Sequence, residues 1–189
     1  AVVIGGGLLG LEAANGVARA GMAVTVVHLA DRLMERQFDG AAAALIQDAM
    51  AARGIAFRLA ADTAAIEGRD RVAAVRLASG ERIAADLVVV AAGVRPRVDL
   101  AREAGLAVGR GIRVDDGLAT SDPAIHALGE CAEHRGTCHG LVEPGYEQAA
   151  VLAARLAGRD AHYPGSVTAA GLKVSGVPVF AAGPVDPPE

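Results

Sequence analysis

The sequence predicts an α/β fold built on a parallel sheet, because apolar strands and amphipathic helices alternate through its first part. Residues 1–4, 23–27 and 55–59 are short apolar runs typical of buried strands. Apolar residues at helical spacing predict one helix that ends at Gly21 and a second at residues 41–53. Strands joined by helices in this βαβαβ order lie parallel in one sheet.

The next part of the chain replaces this alternation with short strands and tight turns. The turns fall at residues 68–70 and 79–80, a spacing typical of an antiparallel meander. The predicted strands of the meander are residues 63–67, 72–78 and 81–85. A fully apolar run at residues 87–91 then predicts a strand that returns to the parallel sheet.

A domain boundary is expected near residue 95, because Gly93 and Pro96 end the last apolar strand. Beyond this boundary, the sequence predicts a short helical turn at residues 100–103 and a strand at residues 125–128. The boundary therefore separates the α/β pattern of residues 1–95 from a second part with a different pattern.

The clearest element of this second part is a helix predicted at residues 143–156. Pro144 suits its first turn, and Gly158 follows its end. Residues 161–189 contain only short strand-like runs, and residues 184–188 are predicted to be unstructured.

Composition excludes several classes of protein. The 189 residues are 52% hydrophobic and 21% charged, as in a globular protein rather than a disordered one. The net charge of -4 gives no basic field for nucleic acid or an anionic membrane, and no apolar run can cross a bilayer.

No signal peptide is visible and two cysteines make no disulfide framework, so a cytoplasmic setting is expected. Because the chain opens inside a strand without a methionine, we expect it to be part of a longer polypeptide.

The first chemical motif is the glycine loop between the first predicted strand and helix. It comprises Gly5-Gly6-Gly7-Leu8-Leu9-Gly10. In a βαβ unit, Gly5 permits a tight turn, Gly7 lets the backbone approach a pyrophosphate, and Gly10 lets the helix pack on the strand. The helix N-terminus adds free N–H groups and a positive dipole end. The motif predicts a dinucleotide site in a Rossmann-like domain, with a ligand-free glycine turn as the alternative.

The end of the second strand bears on which nucleotide binds. Dinucleotide folds usually place an acid there to hold the ribose 2′-hydroxyl, but this sequence has His28. A histidine hydrogen-bonds a hydroxyl or, when protonated, accommodates a 2′-phosphate. The next residues, 29–38, are predicted to form a loop. In this loop Arg32 and Arg36 would favour the phosphate and Asp31 would oppose it, although loop charges are commonly only solvated. The sequence favours NADH and leaves NADPH open.

Glu12 is a further candidate for a role in nucleotide binding. It lies in the first helix, shortly after Gly10. Its carboxylate either lies near the nicotinamide amide or is a favourable acid near a helix N-terminus, and both alternatives stay open.

Three regions of the sequence together resemble the flavoprotein reductases that have two dinucleotide-binding domains. The first region comprises the glycine loop through Glu12, Val24-Thr25-Val26-Val27-His28 and Asp31-Arg32-Leu33-Met34-Glu35-Arg36-Gln37. The second, Ala91-Ala92-Gly93-Val94-Arg95-Pro96, is similar to the motif that closes the NAD(P)H domain. The third, at residues 120–131, is similar to the second FAD motif of the family. The resemblance implies an NAD(P)H-binding domain at residues 1–95 and the C-terminal part of an FAD-binding domain at residues 96–160.

One residue and two segments are most similar to the large subunit of assimilatory NAD(P)H-dependent nitrite reductases. They are His28, residues 129–136 and residues 172–180. The resemblance implies that an FAD domain starts the protein and that the NAD(P)H domain is inserted into it. Residues 161–189 would then begin an interface domain. The first half of the FAD site, the siroheme and the iron–sulfur cluster would lie outside this chain.

The resemblance also implies roles for individual residues. Gly129 and Glu130 would contact FAD, with Glu130 in place of an acid, usually Asp, that binds the ribitol. Gly93 belongs to the motif that closes the NAD(P)H domain. The helix at residues 143–156 would point its N-terminus at the flavin, where its dipole favours negative charge on the reduced ring. No side chain is expected to act as a general acid or nucleophile.

A metal site is an alternative interpretation of one short segment. Cysteine and histidine are the usual zinc ligands, and the segment contains Cys131, His134, Cys138 and His139. Structural zinc sites pair two separated ligand clusters, and the cysteines lack the C-x-x-C spacing of redox pairs. We therefore expect no metal and treat each cysteine as a small, at least half-buried apolar residue.

The family resemblance implies an enzyme that transfers a hydride from NAD(P)H to FAD and passes electrons on to nitrite. A ferredoxin or rubredoxin reductase, or an NADH oxidase, is the alternative within the same class. An isolated nucleotide-binding module without turnover is the alternative from another class. The expected ligands are NADH or NADPH and FAD, with no nucleic acid and no membrane. Unpaired strand edges and apolar surface after residue 96 would allow a homo-oligomer.

Overall fold

A computed structural model describes residues 1–167, 169–172, 179–183 and 185. The described residues form two compact units. One contains Ala1–Gly93 and the described residues from Ala169 onward, and the other runs from Val94 to residue 167.

The first unit contains the predicted strands and helices and the predicted meander. Its elements in chain order are β1 Val2–Ile4, α1 Leu8–Arg19, β2 Val24–Val27, α2 Gly40–Ala51, β3 Ile55–Arg58, β4 Thr63–Gly68, β5 Val72–Leu77, β6 Arg82–Ala84 and β7 Val88–Val90. A four-stranded sheet has the order β3-β2-β1-β7, and each neighbouring pair is parallel. Strands β4, β5 and β6 form an antiparallel sheet. The predicted α/β fold class is confirmed.

Both helices of the first unit pack on one face of the parallel sheet. Val3 of β1 and Val26 of β2 are paired in register. They share a buried cluster with Leu11 of α1 and Ile46 of α2. Leu11 and Ile46 therefore lie on the helix faces that meet the sheet.

The meander covers the opposite face of the same sheet. Alternate residues of a strand point to opposite faces, so Val2 and Val27 point away from the helices. They share a second buried cluster with Val75 and Leu77 of β5. The first unit therefore has three layers, with the parallel sheet in the middle.

The ends of the helices depend on glycines and on one aspartate. Gly21 and Gly54 follow α1 and α2 with φ angles of 88° and 83°, a region that favours glycine. The Asp39 carboxylate accepts a hydrogen bond from the Ala42 N–H at 2.8 Å and caps the start of α2. The second helix therefore spans Gly40–Ala51 rather than the predicted residues 41–53.

The second unit contains both predicted helical elements and two strands that the sequence did not predict. Its elements are α3 Asp99–Glu103, β8 Ile112–Val114, a 3₁₀ turn at Gly129–Cys131, β9 Ala132–His134 and α4 Val142–Leu156. Strands β8 and β9 pair in parallel. Each has three residues with a charged residue at its centre, Arg113 or Glu133, so neither produces an apolar run.

The strand predicted at residues 125–128 is wrong. The only pairing there is an isolated bridge at His126. Asp122 closes a turn just before this segment. Its carbonyl accepts the Ile125 N–H at 3.0 Å and its carboxylate accepts the Ala124 N–H at 2.9 Å. Such local hydrogen bonds from aspartate compete with strand formation.

Two further strands near the end of the described residues belong to the first unit. Strands β10 Ala169–Leu172 and β11 Val179–Ala182 pair antiparallel. Val179 and Ala181 pack against the buried cluster between the helices and the sheet. Apart from residue 185, the predicted unstructured end lies outside the described residues, and the interface domain at residues 161–189 stays a prediction.

Within the described ranges, none of the helices combines the length and apolar character that a membrane span requires.

Candidate functional site

The glycine loop and His28 lie at the same edge of the parallel sheet. The last residue of β1, Ile4, is paired with the last residue of β2, Val27. Gly5 follows the first strand, and its N–H donates to the Val27 carbonyl at 2.8 Å. The carboxyl ends of parallel strands are where ligands bind in open α/β sheets.

Gly5 and Gly10 allow backbone segments to approach closely. Gly5 has a φ of 117°, and a Cβ added there would lie 2.3 Å from the Ala91 carbonyl oxygen. A Cβ added at Gly10 would lie 1.9 Å from the Gly5 carbonyl oxygen. Both positions therefore require glycine, which closes the turn and seats α1 against it.

Gly7 differs because it faces open space. It is the N-cap of α1, with φ -82° and ψ -176°, and no side chain caps the helix. A Cβ added at Gly7 would meet nothing within 4 Å, and the first turn contains no acidic residue. The first N–H groups of a helix need an external acceptor. An open, uncapped helix N-terminus fits a pyrophosphate.

Leu8 and Leu9 begin α1 next to this opening. Leu9 is 67% exposed, while Leu8 packs partly against the buried cluster of the first unit. Glu12 lies further along the helix and is half-buried. These three residues flank the helix N-terminus that the sequence predicted as a nucleotide site.

The His28 ring forms hydrogen bonds through both nitrogens. The Gly6 N–H donates to His28 Nδ1 at 3.0 Å, so Nδ1 carries no proton. His28 Nε2 lies 3.0 Å from Glu35 Oε2, and its N–H therefore donates to that carboxylate. His28 is consequently a neutral imidazole that connects the glycine loop to Glu35.

The predicted loop after β2 is confirmed, and part of it is buried against the glycine loop. Leu33 and Met34 are fully buried, and the Met34 N–H donates to the Gly6 carbonyl at 3.0 Å. A Cβ added at Gly6 would lie 2.7 Å from Leu33 Cδ2 and 2.8 Å from His28 Cγ. Gly6 therefore allows this loop to pack directly on the turn.

The charged residues of this loop are unequally exposed. Asp31 and Arg36 are exposed, and Arg32 is half-buried. Glu35 was not predicted as a site residue, yet it is the acid beside His28, and its side chain is 35% exposed. Two signals in the sequence pointed to it: the missing acid at the end of β2, and a carboxylate in the loop that follows.

Gly93 closes the first unit after β7. It is exposed, its φ is 97°, and a Cβ added there would meet nothing within 4 Å. The backbone conformation rather than crowding favours glycine at this position.

In the second unit, Gly129 and Glu130 form the 3₁₀ turn beside α4. The Gly129 N–H donates to the Gln148 side-chain oxygen at 2.6 Å, and Gln148 is 1% exposed. A Cβ added at Gly145 would approach Gly129 Cα to 3.7 Å, so α4 lies close to the turn. Glu130 is exposed. Gln148 was not predicted, although it occupies the same helical face as Leu152.

The cysteine and histidine segment has ordinary structural contacts. Cys131 and Cys138 are free thiols, and burial raises the pKa of Cys138. His134 Nε2 lies 2.9 Å from Asp116 Oδ1. Hydrogen bonds from Arg135 and then His134 lower the pKa of Asp116 to about 2. Among the residues that the structure describes, no three Cys, His, Asp or Glu side chains are grouped to hold a metal ion.

The fold and the glycine loop define an α/β protein of the dinucleotide-binding class. Residues 1–155 match the family described as pyridine nucleotide-disulphide oxidoreductase. The chain belongs to this family.

Two curated relatives come from Bacillus subtilis (strain 168). The chain is 53% identical to nitrite reductase (NAD(P)H) over 184 residues, covering 97% of this chain and 23% of that protein. It is 45% identical to the assimilatory nitrate reductase electron transfer subunit, covering 100% of this chain and 25% of that protein. The predicted resemblance to nitrite reductases is confirmed. The chain spans about a quarter of the length of these relatives.

A solved structure with a similar fold is a ferredoxin reductase from Rhodopseudomonas palustris. The identity is 38% and the TM-score is 0.84, covering 89% of this chain and 43% of that chain.

Proposed function

We propose that this chain binds NADH or NADPH at the glycine loop and is part of a flavoprotein reductase. The observation that carries the proposal is a contrast in free space. A Cβ added at Gly5 or Gly10 would clash with a backbone oxygen, whereas a Cβ added at Gly7 would meet nothing within 4 Å. Gly5 and Gly10 allow the tight turn, while Gly7 leaves the start of α1 accessible to an anion. Gly93 and Glu12 are proposed as further residues of the nucleotide site.

The second unit is proposed to carry part of an FAD site at Gly129 and Glu130. FAD held in part by Gly129 and Glu130 would supply the acceptor for a hydride from the nicotinamide. Gln148 holds the 3₁₀ turn through the Gly129 N–H, and the exposed Glu130 carboxylate is available for hydroxyl groups of the ligand. Leu141 makes no side-chain cap at the start of α4, so the helix N–H groups favour negative charge nearby, and Glu143 already supplies one such charge in the first turn.

Nitrite is the proposed final electron acceptor of the whole protein, because the Bacillus subtilis nitrite reductase is similar over almost the entire chain. The siroheme and iron–sulfur cluster are proposed to lie outside this chain. The similarity to a ferredoxin reductase favours an alternative, in which the electrons pass to a small electron-transfer protein. A nitrite-dependent oxidation of NADH by the whole protein supports nitrite, and its absence favours the alternative.

A third proposal concerns this chain by itself, which would bind a nucleotide without turnover because its FAD site is incomplete. A cytoplasmic location and a homo-oligomer also stay predictions. A purified chain that retains a flavin absorbance band would contradict this third proposal.

Calorimetric titration of the purified chain with NADH, and then with NADPH, tests the proposed nucleotide site. We expect saturable one-site binding of at least one nucleotide. Gly7→Asp is the variant that tests the anion site, because its carboxylate would cap α1 and repel a pyrophosphate. We expect this variant to fold with unchanged stability and to lose NADH binding.

Gly16→Asp is the control, because it adds the same charge at an exposed, open position of the same helix. It should retain the NADH affinity of the wild type. If the wild type binds neither nucleotide, or if Gly7→Asp binds as tightly as the wild type, the proposed site is wrong.

A further inference from the structure

The first observation is that His28 is fully engaged within the protein. One ring nitrogen accepts the Gly6 N–H and the other donates to Glu35. The side chain is also only 11% exposed. A ribose hydroxyl that approached His28 would therefore have to displace one of these two hydrogen bonds.

The second observation is that the carboxylate beside His28 remains accessible. The hydrogen bond to His28 uses Glu35 Oε2, so Oε1 is not part of that contact. At 35% exposure, the Glu35 side chain is oriented by a partner and still reaches solvent. A carboxylate that is both oriented and accessible is suited to accept hydrogen bonds from hydroxyl groups.

The third observation is that the glycine loop positions this carboxylate. Gly6 donates to His28, and Met34 donates back to the Gly6 carbonyl. Glu35 directly follows Met34 in the sequence. The carboxylate is therefore connected from two sides to the loop where the pyrophosphate is proposed to bind.

We propose that Glu35 accepts the adenosine ribose hydroxyls of NADH and that His28 is a positioning residue for Glu35. The inference rests on the proposed nucleotide site. The carboxylate that dinucleotide folds usually carry at the end of the second strand is replaced by one that follows seven residues later, with His28 between it and the loop.

This arrangement has a consequence for nucleotide choice. A carboxylate accepts a 2′-hydroxyl but repels the 2′-phosphate of NADPH, so Glu35 favours NADH. The exposed guanidinium of Arg36 follows directly and would attract the phosphate if the carboxylate charge were removed. We therefore expect the charge of Glu35 to be a main determinant of the preference.

Glu35→Gln is the sharpest test, because glutamine retains an oxygen that accepts the His28 N–H and removes only the charge. Calorimetric titration of the purified chain with NADH and with NADPH gives the ratio of the two affinities. We expect the preference for NADH to fall about tenfold or more. Asp48→Asn is the matched control, since it removes an exposed negative charge of the same unit, on α2 and outside the loop.

The role of His28 is tested with His28→Ala, alone and combined with Glu35→Gln. Without its partner, Glu35 is no longer oriented, so His28→Ala should also lower the preference for NADH. Adding Glu35→Gln to His28→Ala should then change the ratio much less than Glu35→Gln does in the wild type. A histidine with a purely structural role would weaken both nucleotides equally and leave the ratio unchanged.

Each outcome separates the inference from the proposed nucleotide site. If the wild type binds a nucleotide and Glu35→Gln leaves the ratio unchanged, the inference alone is overturned. Equal shifts in Glu35→Gln and Asp48→Asn also overturn it, because the overall charge of the unit would then explain the preference. If the wild type binds neither nucleotide, the proposed site fails and the inference fails with it.

Discussion

The glycine loop after β1 and the 3₁₀ turn at Gly129–Cys131 both lie beside a helix, but different contacts hold them. In the first, Gly5 and Gly10 leave no space for a Cβ against backbone oxygens. In the second, a Cβ added at Gly129 would meet nothing within 4 Å, and the buried Gln148 side chain holds the backbone. The φ of 78° favours glycine at Gly129 too, but the second turn also depends on a side chain distant in sequence, whereas the first is held by its own backbone contacts.

The largest expected effect is on the backbone-held turn. Gly10→Ala places a Cβ 1.9 Å from the Gly5 oxygen, so the backbone must shift. We expect the free energy of unfolding to fall by about 3 kcal/mol and NADH binding to be lost. Urea unfolding and calorimetry measure the two effects.

Gly16→Ala is the matched control, because the same substitution in the same helix meets open space. It should raise the free energy of unfolding by about 0.5–1 kcal/mol, since alanine is a better helix former than glycine. If Gly10→Ala and Gly16→Ala changed the free energy of unfolding in the same direction, crowding at Gly10 would not explain why the turn needs glycine.

An intermediate effect is expected at the turn that a side chain holds. Gln148→Leu removes the acceptor of the Gly129 N–H, and we expect a loss of about 1–3 kcal/mol in the free energy of unfolding. NADH affinity should not change, because Gln148 belongs to the second unit. Gln47→Leu on α2 is the control and should remain within about 0.5 kcal/mol of the wild type. Equal losses in the two variants would contradict a specific anchoring role.

The smallest effect concerns the pH dependence of the second unit. The pKa of Asp116, about 2 in the folded chain, lies below its usual value because Arg135 and His134 donate hydrogen bonds to the carboxylate. A lowered pKa adds stability above the unfolded value of about 3.9, and this contribution is lost as pH falls toward 2.

Arg135→Ala should raise the pKa of Asp116 toward its usual value, which an NMR titration of the carboxyl group measures. Arg113→Ala is the control, because Arg113 is an exposed arginine of β8 that lies near Glu133 instead. Because Asp116 is partly exposed, the change in overall stability should be small. An unchanged pKa in Arg135→Ala would show that the ion pair does not form in solution.

Sequence patterns predicted the first unit better than the second. The parallel sheet and meander follow from apolar runs and glycine turns, which are local signals. Strands β8 and β9 were not predicted because each has only three residues with a charged residue, Arg113 or Glu133, at its centre, which is too short for a clear strand signal. The false strand at residues 125–128 had an apolar pattern, but the hydrogen bonds of Asp122 formed a turn instead.

The sequence by itself determined the fold class, the position of the glycine loop and the family, because each depends on residues close together in the chain. Only the tertiary structure decided which side chains meet across the chain. Gln148 reaches Gly129, and His28 joins Gly6 to Glu35. These contacts depend on how β2, the loop after it and α4 pack, and no spacing rule in the sequence specifies the partner of a buried polar group.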